Sequence, residues 1–167
     1  MTGSSSRDLH PNALRAQSAL ASAGCQGQVR QLDESTRTSA EAAAALGVEV
    51  GQIAKSLVFL ADGHPVMVIM SGRDRVDTSS LARTVGAKEI RRADAESVKR
   101  ATGYPIGGVS PAGLPAGVKV LVDNGLALHD LIWAAAGTPH AVYPTTFEEL
   151  LRLTGGRPAD VRESETI

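Results

Sequence analysis

Two apolar runs on either side of Asp62-Gly63 constrain this chain more than any other feature. "KSLVFLA" (55–61) and "HPVMVIMS" (64–71) are built mostly from Val, Leu, Ile, Met and Phe. The dipeptide between them is a favoured two-residue hairpin turn. Neither run alternates polar with apolar residues, which is the pattern of strands covered on both faces. The hairpin is therefore expected at the centre of a sheet, with other elements packed above and below it.

The other elements are shorter. A helix is expected from Pro11, with Leu14 and Leu20 as its apolar positions and Gly24 as its stop. "QVRQLD" reads as a short strand. Thr38 and Glu41 have capping-box spacing ahead of "SAEAAAALG", which stops at Gly47. Asp77 or Thr78 caps "SSLARTVG", and Asp94 caps "AESVKRATG". Strands are expected in "KEIRR", "VKVLVD", "LIWAAAG" and "HAVY". A second capping box, Thr146 with Glu149, opens "FEELLRLTGG". Helices interleaved with a hairpin and single strands, without repeat or linker, predict one α/β (α+β) domain over 1–167, centred on a mixed sheet or barrel. The first residues and the tail "RPADVRESETI" are polar and expected to be mobile.

Composition narrows the function. Aromatic residues make up 3% of the chain and the net charge is −1. Base-stacking platforms and a strongly basic nucleic-acid face are therefore not indicated. The charge is uneven, however: residues 72–100 hold eight of the 17 Lys and Arg against five acids. That stretch reads either as a solvated pair of helices or as a phosphate-facing surface. The single cysteine, Cys25, excludes an internal disulfide and suits a reducing, cytoplasmic setting. The start "MTGSSSRDLHP" lacks the apolar core of a signal peptide, and no apolar run reaches membrane-spanning length.

The most unusual segment is "GYPIGGVSPAGLPAG" (103–117), with five glycines and three prolines. Glycine admits positive φ and close approach, whereas proline fixes φ. A loop that mixes them is shaped, and serves either as a connector or as a cradle of amides for an anion or oxyanion. Lys55, at the mouth of an apolar strand, either snorkels to solvent or is placed to bind an anion. The loop carries no Walker or dinucleotide fingerprint, and Ser110 has no nucleophile elbow around it. Cys25 has no surrounding catalytic motif. The four histidines lack metal-ligand spacing, so neither metal nor organic cofactor is expected. His140 in "GTPHAVYP" either lines a pocket or lies at the surface, and Asp123 before Asn124-Gly125 reads first as a turn former.

Taken in order, "KSLVFLADGHPVMVIMSGRDRVD", "GYPIGGVSPAGLP", "VLVD" and "AAAGTPHAVYPTTFEELLRLTGG" resemble the YbaK / prolyl-tRNA synthetase-associated domain family over about residues 30–157. The resemblance implies a mixed, mostly antiparallel β-barrel-like sheet flanked by helices. It also implies deacylation in trans of mischarged tRNA, such as proline tRNA carrying alanine, cysteine or 2-aminobutyrate. The family lysine matches Lys55, implied to hold the phosphate of the terminal adenosine. The family GxxxP loop matches Gly107, Gly108, Val109, Ser110 and Pro111, whose backbone is implied to orient the ester and terminal ribose.

In the family the chemistry is substrate-assisted, so no triad is expected. His140 and Asp123 are expected to shape the substrate pocket. The implied partners are the acceptor end of aminoacyl-tRNA and a synthetase. The chain departs from the alanine-specific relatives in the frame of its histidine motif, and it carries "AAGTPHA" where cysteine-specific relatives have a "GGKRG"-like segment. The residue removed is thus left open. Two alternatives stand beside this reading: a non-catalytic tRNA- or synthetase-binding module, and a small-molecule hydrolase or binder of free acyl-nucleotides.

Overall fold

The computed structural model describes residues 9–164, so the expectations for the first eight and last three residues lie outside it. The hairpin is the centre of the sheet. Strand β2 (Ile53–Ala61) pairs antiparallel with β3 (His64–Ser71), from Ala54 opposite Ser71 to Ala61 opposite His64. Asp62 and Gly63 both have positive φ, 49° and 85°, as a tight hairpin turn with native twist requires. The Asp62 carboxylate accepts from the amides of Lys88 and Glu89, tying the turn to β4 (Ile90–Arg92).

Around this hairpin the other strands are β1 (Arg30–Gln31), β5 (Lys119–Asp123), β6 (Ile132–Ala135), β7 (Ala141–Thr145) and β8 (Arg157–Ala159). The order is β1-β7-β6-β2-β3-β5-β8, with β4 added beside β2. Antiparallel pairings (β1 with β7, β2 with β3 and β4, β6 with β7) outnumber parallel ones (β2 with β6, β3 with β5, β5 with β8). The sheet is mixed and flanked by helices, as expected, but it does not close into a barrel: β1 and β8 are its free ends, and they hold two and three residues.

Burial on both faces holds for β3. Met67 and Ile69 join a cluster with Leu20, Val98, Tyr104, Tyr143 and Leu150. Val66, Val68 and Met70 join another with Phe59, Leu81, Leu121 and Val161. The period-two alternation of a strand delivers successive side chains to opposite faces. Strand β2 departs from the expectation, because Lys55, Ser56 and Leu57 are only half-buried. Its second edge is interrupted: β6 pairs with Ile53 and Ala54, and β4 with Phe59–Ala61. Between them, residues 55–58 have no strand partner on that edge among the described residues.

Helix α1 (Pro11–Ser22) buries Ala13, Ala16 and Leu20, a stripe of helical period. Leu14 lies off that stripe and faces solvent, contrary to the reading that made it an apolar anchor. Helix α2 (Ser39–Leu46) has the full Thr38/Glu41 capping box. Asp77 caps α3 (Thr78–Val85), Asp94 caps α4 (Ala95–Thr102), and Thr146 caps α5 (Phe147–Thr154). The second capping box is only half made: Thr146 accepts from the Glu149 amide, but the Glu149 carboxylate takes the Thr145 hydroxyl at 2.9 Å.

The polar tail contradicts its composition. Residues 157–159 form β8 against β5, and Val161 is fully buried. The reason is Asp123, also fully buried, whose carboxylate accepts from the Val161 amide at 2.9 Å and from Arg162 at 3.1 Å. One buried acid thus fixes a segment that local polarity leaves undetermined.

Candidate active site

The glycine-rich loop follows α4 and is held from inside. Arg15 of α1 stacks its guanidinium 4.4 Å above the Tyr104 ring and donates to the carbonyls of Thr102 and Gly113. The Tyr104 hydroxyl donates to the Ala112 carbonyl at 2.7 Å, and the Ser110 hydroxyl accepts from the Ala112 amide at 3.0 Å. Burial pushes the Tyr104 phenol above its ordinary range, so this hydroxyl stays a donor. Tyr104, Ser110 and Ala112 are fully buried. They form a brace beneath the loop.

The loop's two adjacent glycines answer to contact as well as to conformation. Gly107 has φ 88°, and a Cβ there would lie 2.7 Å from Cγ of Arg37. A Cβ on Gly108 would lie 2.8 Å from both Cα and N of Thr138, so two backbone segments meet with no room for a side chain.

Above this brace, at the unpaired edge of β2, lies a cavity of about 410 Å³. Its walls are residues 53–58 of β2, Trp133–Ala135 of β6, the segment Thr36–Ser39 leading into α2, and Ile106, Gly107 and Val109 from the loop. The interruption in the sheet is what makes room for it. Three cations line it, Lys55, Arg37 and Arg92, and no carboxylate does among the described residues.

Lys55 Nζ donates to the main-chain carbonyl of Asp74. Burial holds its pKa below the ordinary lysine value; the Asp74 charge opposes that shift, and Arg75 and Arg92 add to it. A half-buried ammonium bonded to a neutral carbonyl, with other cations near it, is a site that an anion would stabilise.

Of the residues the sequence singled out, Lys55, Gly107 and Val109 meet at this cavity. Gly108, Ser110 and Pro111 are buried in the loop behind it. Asp123 does not line it, since its oxygens hold Gly125, Val161 and Arg162. His140 lines a second cavity, of about 600 Å³, with His10, Asn12, Lys99 and Thr138, and its Nδ1 lies 3.1 Å from the Glu34 carbonyl. Cys25 is half-buried, with Arg152 at 3.9 Å.

Sequence reasoning missed Arg37, Thr36, Ser56 and Trp133 at this cavity, and met Arg92 only as one of the eight basic residues of the 72–100 stretch. Ser56 carried a usable signal, as a second polar residue beside Lys55 in an apolar strand. Arg37 carried none, because only the tertiary fold brings it to the rim. Among the described residues no helix is long and apolar enough to cross a membrane.

Comparison with known proteins bears on the fold and the family. Residues 33–153 match the aminoacyl-tRNA editing domain. The chain is 32% identical to the uncharacterized protein YwhH of Bacillus subtilis (strain 168), over 75% of this chain and 80% of that protein. It is 36% identical to the proline–tRNA ligase of Geobacter sp. (strain M21) over 57% of this chain, a match that takes in only 17% of the ligase. The crystal structure of a proposed trans-editing enzyme for prolyl tRNA synthetase superposes with a TM-score of 0.87 at 42% identity, covering 94% of this chain and all of that one. With residues 33–153, most of the chain, matched to it, the chain belongs to the aminoacyl-tRNA editing domain family.

Proposed function

We propose that the protein is a trans-editing deacylase, which hydrolyses the ester of a mischarged tRNA in the cytoplasm, most simply a proline tRNA bearing a small non-cognate amino acid. The observation that carries this reading is the meeting of Lys55 with Gly107 and Val109 around one cavity whose charged residues, among those described, are all basic. Lys55 anchors the phosphate of the terminal adenosine, with Arg37 and Arg92 at the rim beside it. The Gly107–Val109 main chain positions the ester and supports the developing oxyanion, with Ser110 and Pro111 backing it. An aminoacyl ester is already reactive. Fixed orientation and a few aimed dipoles therefore suffice, with a water and the neighbouring ribose hydroxyl completing the chemistry.

A small cavity excludes large acyl groups by volume, but it separates small apolar ones weakly. One methylene is worth only ~1–3 kcal/mol, which is the physical reason for separate editing sites.

The test is a panel of proline tRNA charged with alanine, cysteine, serine, 2-aminobutyrate or proline, with ester loss followed for the wild type and Lys55→Ala. Lys55-dependent loss of one or more mischarged forms, with proline spared, supports the reading. Tight binding of tRNA without acceleration on any form would make the chain a non-catalytic binding module instead.

A further inference from the structure

The second cavity, of about 600 Å³, takes no part in the chemistry proposed above. Its size falls among small-ligand sites, which run from roughly 300 to 1,000 Å³. It adjoins the Lys55 cavity along three separate segments. In α4, Val98 lines the first cavity and Lys99 the second. In the glycine-rich loop, Ile106 lines the first and Pro105 the second. Ahead of α2, Thr36 lines the first and Asp33 the second. Two cavities flanked by the same three segments suit consecutive units of one chain better than two unrelated ligands.

The frame of the second cavity is tied together by hydrogen bonds. Asn12 Nδ2 donates to the Gly137 carbonyl at 3.1 Å, which joins α1 to the 137–140 turn. The amides of Leu32 and Thr36 donate to the carbonyls of His140 and Pro139, at 2.8 and 2.6 Å. The His140 ring donates from Nδ1 to the Glu34 carbonyl at 3.1 Å, because a carbonyl can only accept.

The groups left over are of both kinds. His10 Nδ1 accepts from the Asn12 amide at 3.0 Å, so the ring proton is on Nε2, which can only donate. Thr138 Oγ1 accepts from the His140 amide at 3.1 Å and keeps its own hydrogen to give. The Asp33 side chain is exposed and has no hydrogen bond or ion pair among the described residues, and a carboxylate can only accept. Lys99 is exposed and unpaired in the same sense, and adds an ammonium. A simple anion does not suit this set, because Asp33 would repel it. The edge of a nucleobase does, with Pro105 and Pro139 as apolar flanks in a chain that has few aromatic residues for stacking.

We infer that the second cavity takes the cytosine of the nucleotide that precedes the terminal adenosine of tRNA. The inference rests on the editing reading above and deepens it. Cytosine presents an N4 amino donor beside its N3 and O2 acceptors. Asp33 takes the donor, while His10 and Thr138 supply hydrogens to the acceptors. Lys99 meets the phosphate on the far side of this nucleotide, as Lys55 meets the one between it and the terminal adenosine. Uracil carries an O4 acceptor in place of the amino group, and that oxygen would face the Asp33 carboxylate.

Hairpin RNAs ending in the acceptor sequence would carry alanine through a non-hydrolysable 3′-amide, with the penultimate cytidine kept, changed to uridine or made abasic. Affinities would be measured for the wild type, Asp33→Asn and Lys99→Gln, with melting curves confirming that each is folded. The cytidine form is expected to bind about 5- to 10-fold more tightly than the other two, the lower part of the range for a base-edge contact because Asp33 is exposed. Asp33→Asn offers an amino group to O4, so its preference for cytidine over uridine is lost. Lys99→Gln weakens all three forms alike.

Equal binding of the three forms by the wild type overturns the inference. So does a preference that survives Asp33→Asn, which would place the cytosine elsewhere, and so does absence of binding by every form. Free cytidine 5′-monophosphate is expected to compete weakly; competition as strong as that of the hairpin would make the cavity a site for a free nucleotide and overturn the assignment to tRNA. The matching esters separate the two readings. Cytidine-selective binding without hydrolysis keeps the cavity inference and removes the deacylase, whereas hydrolysis without base preference does the reverse.

Discussion

The ammonium of Lys55 donates to the main-chain carbonyl of Asp74, at the mouth of a cavity to which no acid side chain contributes among the described residues. That arrangement costs stability, because it holds an ammonium half-buried with no acid side chain bonded to it. Burial is the largest influence on this lysine and disfavours its charged form, so its pKa in the folded protein lies below its ordinary 10.5. Below the folded pKa the residue is charged in both states, and the cost of burying it is present in full. Between the folded pKa and 10.5 the unfolded chain keeps a proton that the folded protein has released, so stability rises with pH through that window. Lys55→Met is therefore expected to abolish deacylation and yet raise the melting temperature at pH 7, with the gain narrowing as pH approaches 10.5. A lower melting temperature at pH 7 would mean that the bond to Asp74 outweighs desolvation.

The two loop glycines should fail differently when given a methyl group. Gly107→Ala meets a flexible side chain, Arg37, which can swing away, so the remaining cost is that of positive φ, about 1–2 kcal/mol. Gly108→Ala meets the main chain of Thr138, which cannot swing away, and the loop or the 137–138 turn must move. Denaturant titration is expected to show the greater loss of stability for Gly108→Ala. Both variants should lose kcat, because both displace the amides proposed to face the ester. If the two prove equally stable, the 137–138 contact is softer than the geometry implies.

Asp123 offers a test far from the cavity. Its carboxylate is fully buried and serves three donors: the amides of Gly125 and Val161 and the Arg162 guanidinium. Asp123→Ala leaves two main-chain N–H groups with no acceptor, at about 1–3 kcal/mol each when buried. Arg162→Ala removes only the partly exposed member of the set and leaves the carboxylate its two amides. The expected order is a large loss of stability for Asp123→Ala and a small one for Arg162→Ala, with faster proteolysis after residue 156 in the first. Equal losses would shift the weight to the ion pair.

The same residue shows where the sequence stopped being readable. "VLVDNG" announces a strand and a turn, and both are present. Nothing in "RPADVRESETI" announces a strand, because its pairing depends on a carboxylate more than thirty residues earlier. The capped helices, the Asp62-Gly63 hairpin and the glycine-stopped ends were legible because each is set within a few residues. Lys55 and the Gly107 loop were legible as oddities, a charge in an apolar run and an excess of glycine. The cavity between them was not. It exists because β6 and β4 take different ends of one edge of β2, and no local pattern encodes that gap. Thr36, Arg37 and Trp133 were missed for the same reason, since their importance comes from the gap they face.

Arg37 and Arg92 allow the proposed phosphate contacts to be counted. Both guanidiniums are at the exposed rim of the cavity, Arg37 across Gly107 and Arg92 with its centre 5.9 Å from the Phe59 ring. A cation that neutralises one phosphate of a single strand releases condensed counterions, and it contributes about 0.7 to the slope of log K against log salt concentration. If each arginine meets one phosphate of the single-stranded acceptor end, Arg37→Gln and Arg92→Gln should each lower that slope by about 0.7, and the double variant by about 1.4. The readout is affinity for an acceptor-end hairpin RNA with a non-hydrolysable aminoacyl end, titrated from low to moderate salt. KM should rise while kcat for bound ester changes little, because the proposal puts these cations at the phosphates and not at the reacting carbon. An unchanged slope in Arg37→Gln would free that residue from the phosphates and leave it as a side-chain cover over Gly107. A fall in kcat with KM unchanged would place it against the ester itself.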